Sequence, residues 1–449
     1  MTASASVIQA KEPISLGAIR SPKRKSGATG SRAHWFPYYA GFSTGFVEDI
    51  LSYLDLAKGA VLLDPWLGAG TTAEVAAAKG IQLRGYDLNP AMLLVARART
   101  VPTSAEDQIP LLIRKICRVY ERDIKKRSTS LSGSKDALEQ WLQPGSAVAF
   151  RLLEQSIETS VLTREPASVT PLWRRAGQTS PVVALFYLAL FRSLRHFVSE
   201  FQTSNPTWIK ISTGGQRIQL PWDRILGRFC REIENLLSTI QSESERMPHG
   251  GNRRCVIKEA SSLQLPISSN SVDAVVSSPP YCTRIDYVRA TLPELALIGH
   301  PNGVVMRLLR ERMIGTPTIN AKQNYDGSGW GPTCSRFLSA VQDHSSKASS
   351  TYYLKYYRQY FASAHASLVE IDRVLKQGGR CVLVVQDSYY KEVQNDLPQI
   401  FTEMATGLGW SLKQKIDFNV KQTLAGVNPE VKSYRTTFHA TESVLVFSK

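Results

Sequence analysis

The sequence predicts an α/β fold: a doubly wound, mainly parallel sheet with helices on both faces, carrying one large helical insertion. Three observations predict it. Short β-branched runs such as Val272–Val276 alternate with stretches whose apolar residues recur every three to four positions. These runs end in abrupt turns rich in glycine, proline and acidic residues, and ligands of open α/β sheets sit at such strand ends. Over residues 101–250 the alternation stops and helical patterns follow one another, before a strand pattern resumes.

In chain order, an aromatic segment from His34 to Ser43 leads into a helix with Phe46, Ile50, Leu51 and Leu54 on one face, capped by Ser43 or Thr44. Ala60–Leu63 is the first expected strand, followed by a glycine-rich loop and a helix that Gly80 ends. Residues 81–86 form the second strand, and Asn89-Pro90 starts a third helix through Arg97. The insertion holds expected helices at Ile109–Lys126, Lys135–Leu142, Ala147–Thr159, Pro181–Phe201 and Asp223–Ser242. A third strand (Arg254–Lys258) and a fourth (Ser271–Val276) follow. A second insertion, Arg284 to about Ser350, includes a Gly-rich loop from Asn324 to Gly331 and is positioned to form a wall or lid. After a long helix through Val374 come a strand at Arg380–Val385, a helix at Leu397–Leu408 and two strands, Ser411–Phe418 and Glu442–Phe447, expected to pair antiparallel at a sheet edge.

The 449 residues allow two or three domains with a full core. Residues 1–33 read as a disordered basic tail, 34–100 with 251–449 as the catalytic domain, and 101–250 as a helical target-recognition insertion. A formal charge of +16 points to a polyanionic partner, nucleic acid before membrane. The insertion's basic clusters are Lys125-Lys126-Arg127, Arg174-Arg175 beside Trp173, Arg192 with Arg195, and Lys210 near Trp208. Each alone reads as a solvated face; together they make the insertion the candidate grip on DNA. Six scattered cysteines with no Cys-x-x-Cys pair indicate neither a metal site nor a disulfide framework, and fit a cytoplasmic setting. The longest apolar stretch, Pro181–Phe191, is too short to span a bilayer.

Two turns carry the chemistry. The loop Asp64-Pro65-Trp66-Leu67-Gly68-Ala69-Gly70-Thr71-Thr72 joins the first strand to a helix start, where glycines allow close backbone approach and free N–H groups point at a ligand. Asp87, at the tip of the next strand, stands where a ribose diol would bind. The Gly-x-Gly spacing also admits a nicotinamide oxidoreductase, but the carboxylate of Asp64 favours a cationic, sulfonium ligand over a pyrophosphate. The second turn is Ser277-Ser278-Pro279-Pro280-Tyr281. Two prolines stiffen a frame of carbonyl acceptors beside an aromatic ring, which suits a planar base with an exocyclic amine.

With both turns in place, the sequence resembles the S-adenosylmethionine-dependent DNA methyltransferases that methylate exocyclic amines. The loop from Asp64 to Thr72 resembles their Asp-Pro-Phe-x-Gly-x-Gly-Thr motif, and Ser278-Pro279-Pro280-Tyr281 their Ser/Asn/Asp-Pro-Pro-Tyr motif. The resemblance implies a Rossmann-like methyltransferase sheet, with Asp64, Trp66, Gly68, Gly70 and Thr71 along the cofactor. It further implies that Asp87 takes the ribose hydroxyls, Glu259 lies near the adenine and Phe42 covers the methionine end. Trp66 replaces the usual phenylalanine, and Glu259 the usual aspartate. Ser278, Pro279, Pro280 and Tyr281 would be catalytic: Ser278 and the Pro279 carbonyl accept the amine N–H groups, and Tyr281 stacks on a base flipped from double-stranded DNA.

Serine at position 278 leans toward cytosine N4 within that family, with adenine N6, or an RNA or tRNA base, as alternatives. A DNA-binding regulator on an inactive scaffold is disfavoured by the intact Asp64, Asp87 and Ser278. Methylation at cytosine C5 would need a thiolate, and Cys282, one residue past Tyr281, reads as a packing residue instead. The expected setting is DNA methylation within restriction-modification, and the sequence specifies no restriction or defence partner.

Overall fold

The structure, a computed structural model, describes residues 18–23, 31–38, 41–126, 136–161, 170–203, 208–212, 215–246, 255–319, 325–420 and 440–449. Most of the expected basic tail lies outside these residues, as do Arg127, Asn205-Pro206-Thr207, Arg254 and Asn324.

Seven strands make one sheet: β1 (Val61–Asp64), β2 (Gln82–Asp87), β3 (Cys255–Glu259), β4 (Val272–Ser277), β5 (Leu375–Gln386), β8 (Ser411–Val420) and β9 (Ala440–Ser448), with a small hairpin of β6 (Ser388–Tyr390) and β7 (Val393–Asn395) beside it. Their order is β3-β2-β1-β4-β5-β9-β8. The first five run parallel, and β9 is antiparallel to both β5 and β8. The expected antiparallel edge pair is therefore present. The β6–β7 hairpin was not anticipated, because three-residue strands are too short to show an alternation. From β1 the chain first builds outward through β2 and β3, then crosses back to place β4 on the other side of β1. The crevice at this switch point opens between the carboxyl ends of β1 and β4.

Alternation along each strand divides the core. Leu62, Val276, Val382 and Val446 face one side, while Leu63, Val275, Leu383 and Leu445 face the other. The first side is covered by α1 (Thr44–Leu54), α2 (Thr71–Lys79) and α3 (Pro90–Arg99), the second by the helices Leu354–Val374 and Leu397–Gly407. Phe46, Ile50, Leu51 and Leu54 of α1 are buried, and the Ser43 hydroxyl accepts the Phe46 N–H at 3.2 Å, as the cap pattern requires. Gly80 ends α2 in the left-handed region at φ 68°.

The insertion contains α4 (Gln108–Lys126), α5 (Pro144–Val161), α6 (Leu172–Arg175), α7 (Pro181–Phe197) and α8 (Trp222–Arg246). The apolar helix α7 packs on α3 and is enclosed by α5 and α8, so the insertion extends the core of α1–α3 as a second layer. The expected helix at 135–142 is only a 3-10 turn, Ala137–Gln140, and the one expected to reach Phe201 finishes at Phe197 with a separate 3-10 turn, Ser199–Phe201. Short tight turns of this kind keep a helical apolar spacing without adding α-helix.

Packing also redistributes the basic clusters. Arg192 pairs with the buried Glu232 and donates to the Trp35 carbonyl at 2.6 Å. Arg195 grips the fully buried Glu294 and donates to the Ala290 carbonyl at 2.6 Å, while Arg175 pairs with Glu158. These arginines tie helices together and are not a free basic face. Lys125, Lys126, Arg174 and Lys210 are the members that stay exposed among the described residues. Among the described residues no helix is long and apolar enough to cross a membrane.

Candidate active site

A cleft open at its mouth occupies the switch point, its space together with the adjoining open solvent amounting to about 860 Å³. Its floor is the loop after β1. Gly68 and Gly70 take positive φ values of 51° and 79°, which place successive backbone groups along the wall. Both positions exclude a side chain: a Cβ on Gly68 would lie 2.8 Å from the Tyr38 ring, and one on Gly70 would lie 2.7 Å from the Cα of Ala96 in α3. Asp87 locks this loop, its Oδ2 accepting the Gly68 N–H and its Oδ1 the Asn89 N–H, both at 2.8 Å. Asp64 is buried and its Oδ1 accepts from the Ser277 hydroxyl at 2.5 Å and the Trp66 N–H at 3.2 Å. That Ser277 contact joins the cofactor-type loop directly to the strand that carries the proline turn.

The proline turn forms the opposite wall through Ser278, Pro279 and Pro280. The Ser278 hydroxyl donates to the Val384 carbonyl of β5 at 3.0 Å. A hydroxyl has one proton and two lone pairs, so this bond leaves Oγ as an acceptor toward other ligands. Tyr281 is half-buried and does not line the cleft; its hydroxyl donates to Glu442 on β9 at 3.4 Å. Cys282 is buried, and burial pushes its thiol well above the ordinary range, which suits packing and not nucleophilic attack.

Phe42, Asp64, Trp66, Gly68, Thr71 and Asp87 line the cleft with the three turn residues. Gly70 does not; it is the N-cap of α2, pressed against α3. Glu259 also lies off the lining, exposed at the end of β3 and 3.5 Å from Arg312. Arg312, Met313 and Ile314 do line the cleft, which places part of the second insertion over the site. Tyr38 and Tyr287 line it too and had no separate signal in the sequence. The aromatic run from His34 marked the first only as a segment.

The donor set fits S-adenosylmethionine. Among the described residues the buried Trp66 indole N–H has no partner, a donor awaiting an acceptor, and the carboxylates of Asp64 and Asp87 supply acceptors for cationic and hydroxyl groups. Burial pushes both carboxyls up to about 6, against hydrogen bonds that stabilise the ionised form. With folded values above the ordinary 3.8, their contribution to stability is fully present below that value and is lost as pH rises through about 6. A cationic ligand has the opposite preference, since it needs the carboxylates ionised. Cofactor affinity is therefore expected to fall below pH 6, by up to about tenfold per pH unit for one coupled proton, with proton release on binding near pH 6. Calorimetry in buffers of different ionisation enthalpy checks this, and an affinity flat from pH 5 to 8 would refute it.

The strand order, the glycine loop at the switch point and the proline turn on the adjacent strand define a Rossmann-like methyltransferase fold. No family model matches the chain. It is similar to the Type II methyltransferase M.BsoBI of Geobacillus stearothermophilus, at 24% identity over 59% of this chain and 52% of that protein. It is also similar to M.AvaI of Anabaena variabilis, at 21% identity over 85% of this chain and 79% of that protein, and to M.MvaI of Kocuria varians, at 21% over 49% and 46%. The chain thus spans about half the length of M.BsoBI and M.MvaI and most of M.AvaI. Type II methyltransferases are homologues of this chain, and the amine-methylating class is consistent with its motifs.

Proposed function

We propose that the protein is a site-specific DNA methyltransferase that moves a methyl group from S-adenosylmethionine to an exocyclic base amine, cytosine N4. The observation that carries this is one cleft with the Asp64–Thr71 loop on one wall and Ser278-Pro279-Pro280 on the other. S-adenosylmethionine, when bound, supplies a methyl group activated by its sulfonium. Asp64, Trp66, Thr71 and Asp87 would hold that cofactor, with Phe42 beside them on the lining; Glu259, off the lining but 3.5 Å from Arg312, would reach it only at the rim.

The lone pair of an aromatic amine is delocalised into its ring. The Ser278 Oγ and the Pro279 carbonyl accept its two N–H groups and draw the nitrogen toward a geometry in which the lone pair is available. Among the described residues no donor reaches the Pro279 carbonyl, which is consistent with an acceptor kept for the substrate. Tyr281 lies off the lining and bonds to Glu442, so stacking on a flipped base, a contact worth roughly 1–3 kcal/mol, requires its ring to turn toward the cleft. The proton leaves to solvent after transfer. The relatives are consistent with a modification role alongside a restriction enzyme.

Incubating the protein with labelled cofactor and duplex DNA, then separating the nucleosides, tests this directly. Label in N4-methylcytosine is expected. Label in N6-methyladenine would overturn the base assignment, and label only in RNA would overturn the substrate. Residues 101–250 are proposed to read the target, with Lys125 and Lys126 among the phosphate contacts. DNA affinity is then expected to fall steeply with salt, and neutralising both lysines should reduce the slope of log affinity against log salt by about 1 to 2. An unchanged slope would remove them from the footprint.

A further inference from the structure

The proline turn is short and lacks two backbone N–H groups, yet two tyrosines from outside it hold its backbone and a third holds Arg284 just beyond it. Tyr360, on the helix Leu354–Val374, is 2% exposed and its hydroxyl donates to the Pro280 carbonyl at 2.8 Å. The Tyr287 hydroxyl accepts the Tyr281 N–H at 3.2 Å, and the Tyr356 hydroxyl accepts the Arg284 N–H at 3.0 Å. Arg284 needs that support because it holds φ at 57°, a strained value for a non-glycine residue. The two proline carbonyls are thus treated differently: that of Pro280 is tied into the protein, and that of Pro279 stays open on the cleft wall.

We propose that Tyr360 is a positioning residue for methyl transfer, acting through the Pro280 carbonyl to set the plane of the peptide that presents the Pro279 carbonyl to the target amine. This rests on the methyltransferase reading above. The ring fixes φ at Pro280 and Pro280 restricts Pro279, so ψ of Pro280 is the loose torsion between the two peptide planes, and the Tyr360 bond to the Pro280 carbonyl holds it. One bond at Pro280 therefore controls the direction of the preceding acceptor. Misplacing a reacting group by a fraction of an ångström is enough to lower the rate without altering cofactor contacts on the far wall.

The test is Tyr360→Phe, which removes one oxygen and keeps the ring in its packing. The neighbouring Tyr357→Phe serves as the control, since that ring packs against Phe337 and Phe361 and makes no bond to the turn among the described residues. The expected result is a fall in kcat of about tenfold to a hundredfold for Tyr360→Phe. Its KM and Kd for S-adenosylmethionine should stay within about twofold of the parent, and Tyr357→Phe should keep the parent kcat. Equal kcat in Tyr360→Phe and the parent would overturn the inference while leaving the proposed activity intact. An equal drop in both variants would show general loosening of the helix and would also overturn it. A parent protein that binds the cofactor but methylates no nucleic acid base would remove the activity and the inference together.

Discussion

Arg195→Ala is expected to destabilise the protein by about 3–5 kcal/mol, the range for breaking a buried ion pair from one side. The reason is the partner left behind. Glu294 is fully buried, its carboxylate is gripped by the Arg195 guanidinium from both oxygens, and the same guanidinium donates to the Ala290 carbonyl and stacks on Phe36. Removing the arginine leaves a buried carboxylate and a carbonyl without their donor. The pair joins α7 of the insertion to the helix Leu292–Leu297 that follows the proline turn, so the loss should spread to the active site. Equilibrium unfolding in urea measures it. A folded variant within about 1 kcal/mol of the parent but with weakened DNA binding would instead restore Arg195 to the DNA-contacting surface, the role its sequence context had given it.

Asp87→Ala should weaken S-adenosylmethionine binding by about tenfold to a hundredfold or more, equivalent to one or two lost charge-assisted hydrogen bonds. The structure makes the effect twofold. The carboxylate is an acceptor on the cleft wall, and it also clamps the Gly68 and Asn89 N–H groups, so its removal frees the loop that the cofactor lies along. Asp87→Asn keeps one oxygen acceptor and presents an amide to the other N–H, and it should fall between the parent and the alanine variant. Calorimetric titration of folded protein is the measurement. Parental affinity in Asp87→Ala would sink the cofactor assignment for this residue.

The sequence by itself determined the strands of the sheet and α1, because burial leaves a local mark on each: a near-continuous apolar run in β1, β4 and β5, which are buried on both faces, and a three-to-four spacing in α1. It also determined the two turns, since Gly68, Gly70, Pro279 and Pro280 impose backbone conformations that need no distant partner. Only the tertiary structure decided what the arginines do. A local window shows Arg192 and Arg195 as charge on a helix, and it does not show Glu232 or Glu294, which lie 40 and 99 residues away. The same holds for Tyr360, whose bond to Pro280 spans 80 residues, and for Arg312, which reaches the cleft from the second insertion. Backbone conformation and apolar period are local properties, written in consecutive residues. The pairing of a polar group is fixed by which surfaces the hydrophobic core brings together, and that is settled only when the whole chain has packed.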